Sequence, residues 1–372
     1  MKFVLFYHSL TSDWNHGNAH FLRGVATELI LRGHDVRVYE PADGWSLAQL
    51  LQTEGQQAVE GFSRHYPLLR PIRYKLETLD LHKALDNADV VIVHEWNPVE
   101  LLERIGRHRR SSRHRYQLLF HDTHHRAVSA PRELARYPLE DFDGTLAFGE
   151  AIADIYRRRG WGGRVWIWHE AADTRLFKPA ERPTAAEADL VWIGNWGDEE
   201  RSAELRTFLF EPVRKLGISG SVYGVRYPKQ ALDTLARSGL HYRGWVANYS
   251  VPSVFHCHRF TVHVPRKFYR TKLPGIPTIR VFEALACGIP LLSAPWSDAE
   301  NLFRAGRDFV MVRDGAAMQK AMRNLLADRA MADEIAMSGR ATIEQRHTCA
   351  HRVDELLAIV HELQDVPEAA LS

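Results

Sequence analysis

The sequence predicts an α/β protein made of two Rossmann-like domains, each on a parallel sheet, the two sheets facing each other across a cleft. Three observations predict it. Short apolar runs alternate with stretches of helical periodicity along the chain. The alternation pauses at Lys178-Pro-Ala-Glu-Arg-Pro-Thr184, a linker by composition, and then restarts. The 372 residues exceed what one hydrophobic core usually organises, which is about 250–300.

The elements follow in order. Val4–Tyr7 reads as a buried strand, and Ser9–Asn18 as a polar loop. A helix then places Phe21, Leu22, Val25, Leu29 and Ile30 on one face and stops at Gly33. Val36–Tyr39 is the second strand of a βαβ start, which implies parallel pairing. Trp45–Leu85 reads as a mostly helical insertion or elaborated crossover, and Val90–Val93, Gln117–Phe120, Thr145–Phe148 and Val165–Trp168 as further strands. In the second half the strands are Leu190–Ile193, Ser221–Tyr223, Phe260–Val264, Pro290–Ser293 and Phe309–Val312. A helix over Arg280–Cys287 ends at Gly288-Ile-Pro290, since glycine caps a helix and proline cannot continue it.

Composition narrows the function. The formal net charge is +2, from 48 basic and 46 acidic residues, so bulk nucleic-acid binding is not expected. The run Arg104–Arg115 is read as a solvated loop, with an anionic membrane surface as the alternative. Three scattered cysteines exclude a disulfide framework and suit a reducing, cytoplasmic compartment. The apolar start ends at His8 and reads as a strand rather than a leader, and no run is long enough to span a bilayer.

Ligands of open parallel sheets bind beyond the carboxyl ends of the strands, so residues there are the candidates. The first loop lacks the GxGxxG of a dinucleotide site, which disfavours an NAD enzyme despite Glu40 at the end of the second strand. Asn15, His16 and Gly17 read either as substrate contacts or as an ordinary polar turn. In His121-Asp-Thr-His-His-Arg126, His121 comes first after a strand and is the candidate acid/base, Asp122 its orienting carboxylate and His124 a sugar contact. Neighbouring histidines on one turn rarely converge on an ion, so no metal is expected. The triplet Asp141-Phe-Asp143 reads as an ordinary approach to a strand. Inside Thr278–Pro290, Glu283 is a charge within an apolar helix and needs partners. Ribose hydroxyls would serve, with Arg280 and the helix start meeting a diphosphate. A purely structural Arg280–Glu283 ion pair would serve equally. One or two of Arg266, Lys267, Arg270 and Lys272 would also face phosphate.

Gly244-Trp245, the following basic residues, RVFEALACGIPLL and SDAENLF together resemble the C-terminal half of GT-B glycosyltransferases, in particular the CgeB/YkvP-like group. RGHDVRVYEP, HEAADTRLFKP and the closing RHTCAHRVDELLAIV resemble, in order, the second-strand segment, the interdomain signature and the returning helix of that family. The resemblance implies an acceptor domain over residues 1–180, a nucleotide-sugar domain over 181–346, and a helix in 347–372 that crosses back. It implies that Glu283 holds the ribose and Arg280 the diphosphate. Gly194, Asn195 and Trp196 would line the donor phosphates, with Arg201 as a basic phosphate contact. Gly244, Trp245 and Val246 would flank the base, and His121 would stand against the transferred sugar. Retaining relatives often carry a further Glu eight positions before the ribose-binding one, where this chain has Gly275.

The expected reaction is metal-independent transfer of a sugar from a nucleotide-sugar to an acceptor of unknown class, without a cofactor. The partners expected are that donor and that acceptor, no nucleic acid, and peripheral membrane contact as an option. A nucleotide-sugar epimerase predicts turnover without acceptor, and a catalytically degenerate nucleotide-sugar binder predicts none.

Overall fold

A computed structural model describes residues 1–180 and 186–365. Its contacts divide the chain into two compact units. The first comprises Met1–Glu170 together with the chain from Cys349 onward, and the second Ala171–Thr348. Part of the expected linker, residues 181–184, lies outside the described residues.

The first unit holds a seven-stranded sheet of β1 (Lys2–Phe6), β2 (Asp35–Pro41), β3 (Ile72–Tyr74), β4 (Val90–His94), β5 (Gln117–Asp122), β6 (Gly144–Ala147) and β7 (Arg164–Ile167). Their order is β3-β2-β1-β4-β5-β6-β7, every pair parallel. The helical crossover expected over Trp45–Leu85 carries the edge strand β3, which sequence reading missed. Three residues are too few to show a period, and two of them, Ile72 and Arg73, are exposed. Helix Ala19–Leu31 covers one face, with Phe21, Leu22, Val25 and Leu29 buried as their spacing requires and Ile30 half-buried, and helix Cys349–Gln364 packs on it. Trp168 Nε1 donates to the Arg352 carbonyl of that returning helix at 2.8 Å.

The basic run is not a loop. Its first half continues helix Val99–Ser111. Arg104 caps the carbonyls of Leu76 and Leu79, Arg109 pairs with Asp143 and Arg110 with Asp141. Asp141 and Asp143 therefore serve this internal network.

The second unit holds β8 (Ala188–Ile193), β9 (Gly220–Tyr223), β10 (Leu240–Gly244), β11 (His258–His263), β12 (Leu291–Ser293) and β13 (Val310–Met311). The order is β10-β9-β8-β11-β12-β13, again wholly parallel. β10 was missed because its middle residues are polar and exposed, as suits an edge strand. Helix Ile279–Cys287 ends where expected, with Gly288 in the left-handed region at φ +65°.

Each sheet reverses its strand order once, between β1 and β4 in the first and between β8 and β11 in the second. Such reversals splay the connecting loops apart and open a crevice beyond the carboxyl ends of the two strands.

Candidate functional site

At the reversal of the first sheet, the loop after β1 is fixed from below. The Glu40 carboxylate accepts the backbone N–H groups of Leu10 and Thr11 at 2.8 and 2.9 Å and the Thr11 hydroxyl. Glu40 is thus a loop anchor, with no role left to it on a ribose. Arg23, wholly buried, donates to Asp13 Oδ2 and to the carbonyls of Leu10 and Thr11. A guanidinium offers five donors in a fixed fork, and these bonds hold the loop's shape.

The loop so held carries His16 against His8, with ring centroids 4.3 Å apart. His8 stacks on His94 at the end of β4, and His94 meets His121 edge-on at 5.4 Å. His16 and His121 therefore belong to one histidine row whose central members, His8 and His94, sequence reading passed over. The signal was available: His8 follows β1 directly and His94 ends β4, the two strands of the reversal. Asn15 adopts φ +54° in the turn, and Gly17 is exposed. His124 packs against Trp96 and His125.

His121 does not stand free after its strand. It lies inside β5, fully buried between Phe21 and Trp168. Neither ring nitrogen has a hydrogen-bond partner among the described residues, and burial pushes its pKa down to about 3. Asp122 does not orient it, since successive strand residues point to opposite faces. Asp122 accepts instead from the Tyr156 hydroxyl at 2.8 Å and the His124 N–H at 3.0 Å. Burial raises the Asp122 carboxyl, and burial together with Asp122 raises its neighbour Glu95 well above the usual carboxylate range.

The second reversal is built differently. Gly194 follows β8, Gly224 follows β9 and Gly244 ends β10. The N–H of Gly194 bonds to the Tyr223 carbonyl, and that of Gly224 to the Gly244 carbonyl, both at 2.8 Å. A Cβ on Gly224, whose φ is +154°, would stand 2.2 Å from the Gly194 carbonyl oxygen, so only glycine closes this lip. Asn195 Oδ1 accepts the Val225 N–H at 2.9 Å. The Trp196 ring stacks on Phe210 and packs against the core of the unit, as its large apolar surface favours.

Arg201 lies beneath this lip, 9% exposed. It donates to the carbonyls of Asn195 and Val264 and sits over the Trp192 ring at 5.3 Å. No carboxylate among the described residues pairs with it. Burial and the neighbouring Arg266 lower its pKa to about 10, which leaves it charged at neutral pH. Arg266 pairs with Glu200 and Arg270 with Glu204. His263, missed from sequence, ends β11. Its Nδ1 lies 2.9 Å from Ser293 Oγ and its Nε2 3.1 Å from Thr278 Oγ1, at the start of helix Ile279–Cys287. Burial, Arg201 and Arg280 push its pKa down to about 3.

Glu283 is fully buried in that helix, pairs with Arg280, and accepts from Asn248 Nδ2 at 3.2 Å. The structural ion pair left open by the sequence is therefore formed. Asn248 stands just beyond Gly244, Trp245 and Val246, so the helix acid and this loop, 35 residues apart, meet. At Gly275 (φ +91°) a Cβ would come 2.6 Å from Glu300 Oε1. The glycine is thus required by the backbone, and a carboxylate reaches its position from another segment. Among the described residues no group of three or more His, Cys, Asp or Glu side chains could hold a metal ion, and no helix is long and apolar enough to cross a membrane.

Residues 201–358 match the family described as "Glycosyl transferase-like". No curated protein matches the chain significantly. Among solved structures, sucrose-phosphate synthase from Thermosynechococcus elongatus is similar with a TM-score of 0.65 at 13% identity, covering 98% of this chain and 99% of that one. HepE from Anabaena, solved with UDP and glucose, gives 0.65 at 14% identity over 98% and 100% of the two chains. An alpha-glucosyltransferase, solved with UDP and a 13-mer DNA, gives 0.71 at 13% identity over 97% and 98%. At such identities the likeness speaks for the fold, which is GT-B. The glycosyl transferase-like segment on that fold supports a glycosyltransferase.

Proposed function

We propose that the protein transfers a sugar from a UDP-sugar to a hydroxylated acceptor without a metal ion. The observation that carries this reading is Arg201. A buried guanidinium without an acid is costly to keep. A ligand diphosphate is the anion that would complete it. The start of helix Ile279–Cys287 adds backbone N–H groups and the positive end of the helix dipole. Two proteins similar in fold, HepE and the alpha-glucosyltransferase, were solved with UDP or UDP-glucose, which supports uridine as the base.

In this reading charge builds on the leaving diphosphate as the bond to the anomeric carbon breaks. Arg201 and Arg280 oppose it from fixed positions, an electrostatic contribution with little reorganisation. Glu283 would take the ribose hydroxyls in exchange for Asn248. The absence of a metal step, the cytoplasm as compartment and kinship with the CgeB/YkvP-like group belong to this proposal. The near-neutral charge supports an acceptor other than nucleic acid, whatever the DNA-bound relative by fold acts on.

Calorimetry with UDP tests the donor site. Binding by the wild-type chain and loss of binding in Arg201→Met support it; no binding of UDP, GDP or ADP overturns it. Glu283→Ala retaining full affinity would remove that residue from the site. A nucleotide-sugar binder without turnover draws on Gly275. Release of UDP from UDP-glucose in the presence of saccharides would exclude it.

A further inference from the structure

At the first reversal four side chains form a hydrogen-bonded row, and its polarity can be worked out from donors that have no choice. The Trp96 backbone N–H points at His94 Nδ1 from 3.4 Å, so Nδ1 presents a lone pair. Burial and the surrounding histidines hold His94 neutral, and its one ring proton is therefore on Nε2. Nε2 lies 2.9 Å from Thr123 Oγ1, which passes the chain to Glu95 Oε1 at 3.4 Å. That oxygen already accepts the Thr123 backbone N–H at 2.9 Å, which fixes it as the acceptor end. His8 Nδ1 stands 3.2 Å from His94 Nδ1. Two imidazole nitrogens so close need one proton between them, and His8 must supply it.

His8 is thereby held as the Nδ1–H tautomer, its lone pair on Nε2. Nε2 has no partner among the described residues, and the residue is half-buried, unlike His94 and His121. Trp96 stands 6.3 Å away, 44% exposed although its ring packs under the Arg126 guanidinium at 4.7 Å. A fixed acceptor beside an exposed indole is the combination that receives a saccharide, one group for a hydroxyl and one for the apolar ring face.

We infer that His8 Nε2 accepts a hydroxyl of a saccharide at the first unit's reversal, with His94 and Thr123 as positioning residues. This rests on the sugar-transfer reading above. It moves the acceptor-side contact from His121, which is sealed in, to His8, which is not.

The test uses the full chain with nitrogen-15 in its histidine rings, loaded with UDP at neutral pH. Long-range nitrogen–proton correlations should show His8 protonated on Nδ1 and His94 on Nε2. Thr123→Val should disturb the His94 assignment while the chain stays folded. Titration with a panel of mono- and disaccharides should shift the His8 Nε2 resonance. His8→Phe should weaken saccharide binding by about tenfold or more, and His8→Gln, which returns an acceptor oxygen near Nε2, should recover most of it. UDP affinity should stay the same in both variants. His8 protonated on Nε2, no saccharide moving its resonance, or full binding in His8→Phe would each overturn the inference. Failure of the sugar-transfer reading looks different, because there the wild-type chain does not bind UDP at all.

Discussion

Two buried arginines, one in each unit, have opposite surroundings. Arg23 is closed by Asp13 at 2.9 Å and by two carbonyls, and its charge is satisfied within the protein. Arg201 has two carbonyls and, among the described residues, no acid paired with it. The difference appears in their protonation, since Asp13 helps hold the Arg23 pKa above that of a free guanidinium while burial and Arg266 bring Arg201 down to about 10. A paired buried charge is architecture. An unpaired one is a receptor waiting for its counter-ion.

The largest expected effect breaks the satisfied partner. Asp13→Ala strands a buried guanidinium, and urea denaturation should show a loss of about 3–5 kcal/mol. UDP should not restore it. Next, Arg201→Met should leave stability within about 1 kcal/mol, because it removes a charge that had no acid to lose. The same change should cost UDP about 1.5–3 kcal/mol of affinity, roughly 10- to 150-fold, measured by calorimetry. If Arg201→Met unfolds the protein while Asp13→Ala does not, the contrast is wrong. UDP at about 100 times its dissociation constant should add about 2.7 kcal/mol to the wild type and far less to Arg201→Met, read by thermal denaturation.

The smallest effect concerns His121. Its pKa falls from 6.5 to about 3 on folding. The folded state thus binds fewer protons, and the stabilising contribution is full above pH 6.5 and declines as pH falls toward 3. His121→Phe should be near-neutral at pH 7.5, within about 1 kcal/mol, and should flatten the acid limb of a stability–pH curve. His8 is depressed likewise and keeps part of that limb. A sharp loss of stability at pH 7.5 would mean that His121 has a partner after all.

Much of the fold was legible because parallel strands buried on both faces read as apolar runs. Eleven strands announced themselves as apolar runs, the half-buried edge strands β7 and β13 among them, whereas the edge strands β3 and β10 carry exposed polar side chains and did not. The carboxyl-end rule found the right loops but could not assign directions within them. His121 and Asp122 are neighbours in sequence and face opposite sides of the sheet, so their expected partnership could not form. His8 and His94 are 86 residues apart and touch only because β1 and β4 pair. Gly224 and Arg201 become legible only when one knows what their neighbours lack: space in the one case, an acid in the other. Glu300 beside Gly275 is of the same kind, a carboxylate brought to a position by tertiary structure rather than by spacing.

The chain comes into the second unit beside the place where it goes out. Ala172 bridges Thr348 in parallel, and the Ala172 N–H bonds to the His347 carbonyl at 3.0 Å. An inserted module with adjoining termini behaves as a cassette. Segment 171–348 could be lifted out whole, or its ends joined and reopened elsewhere.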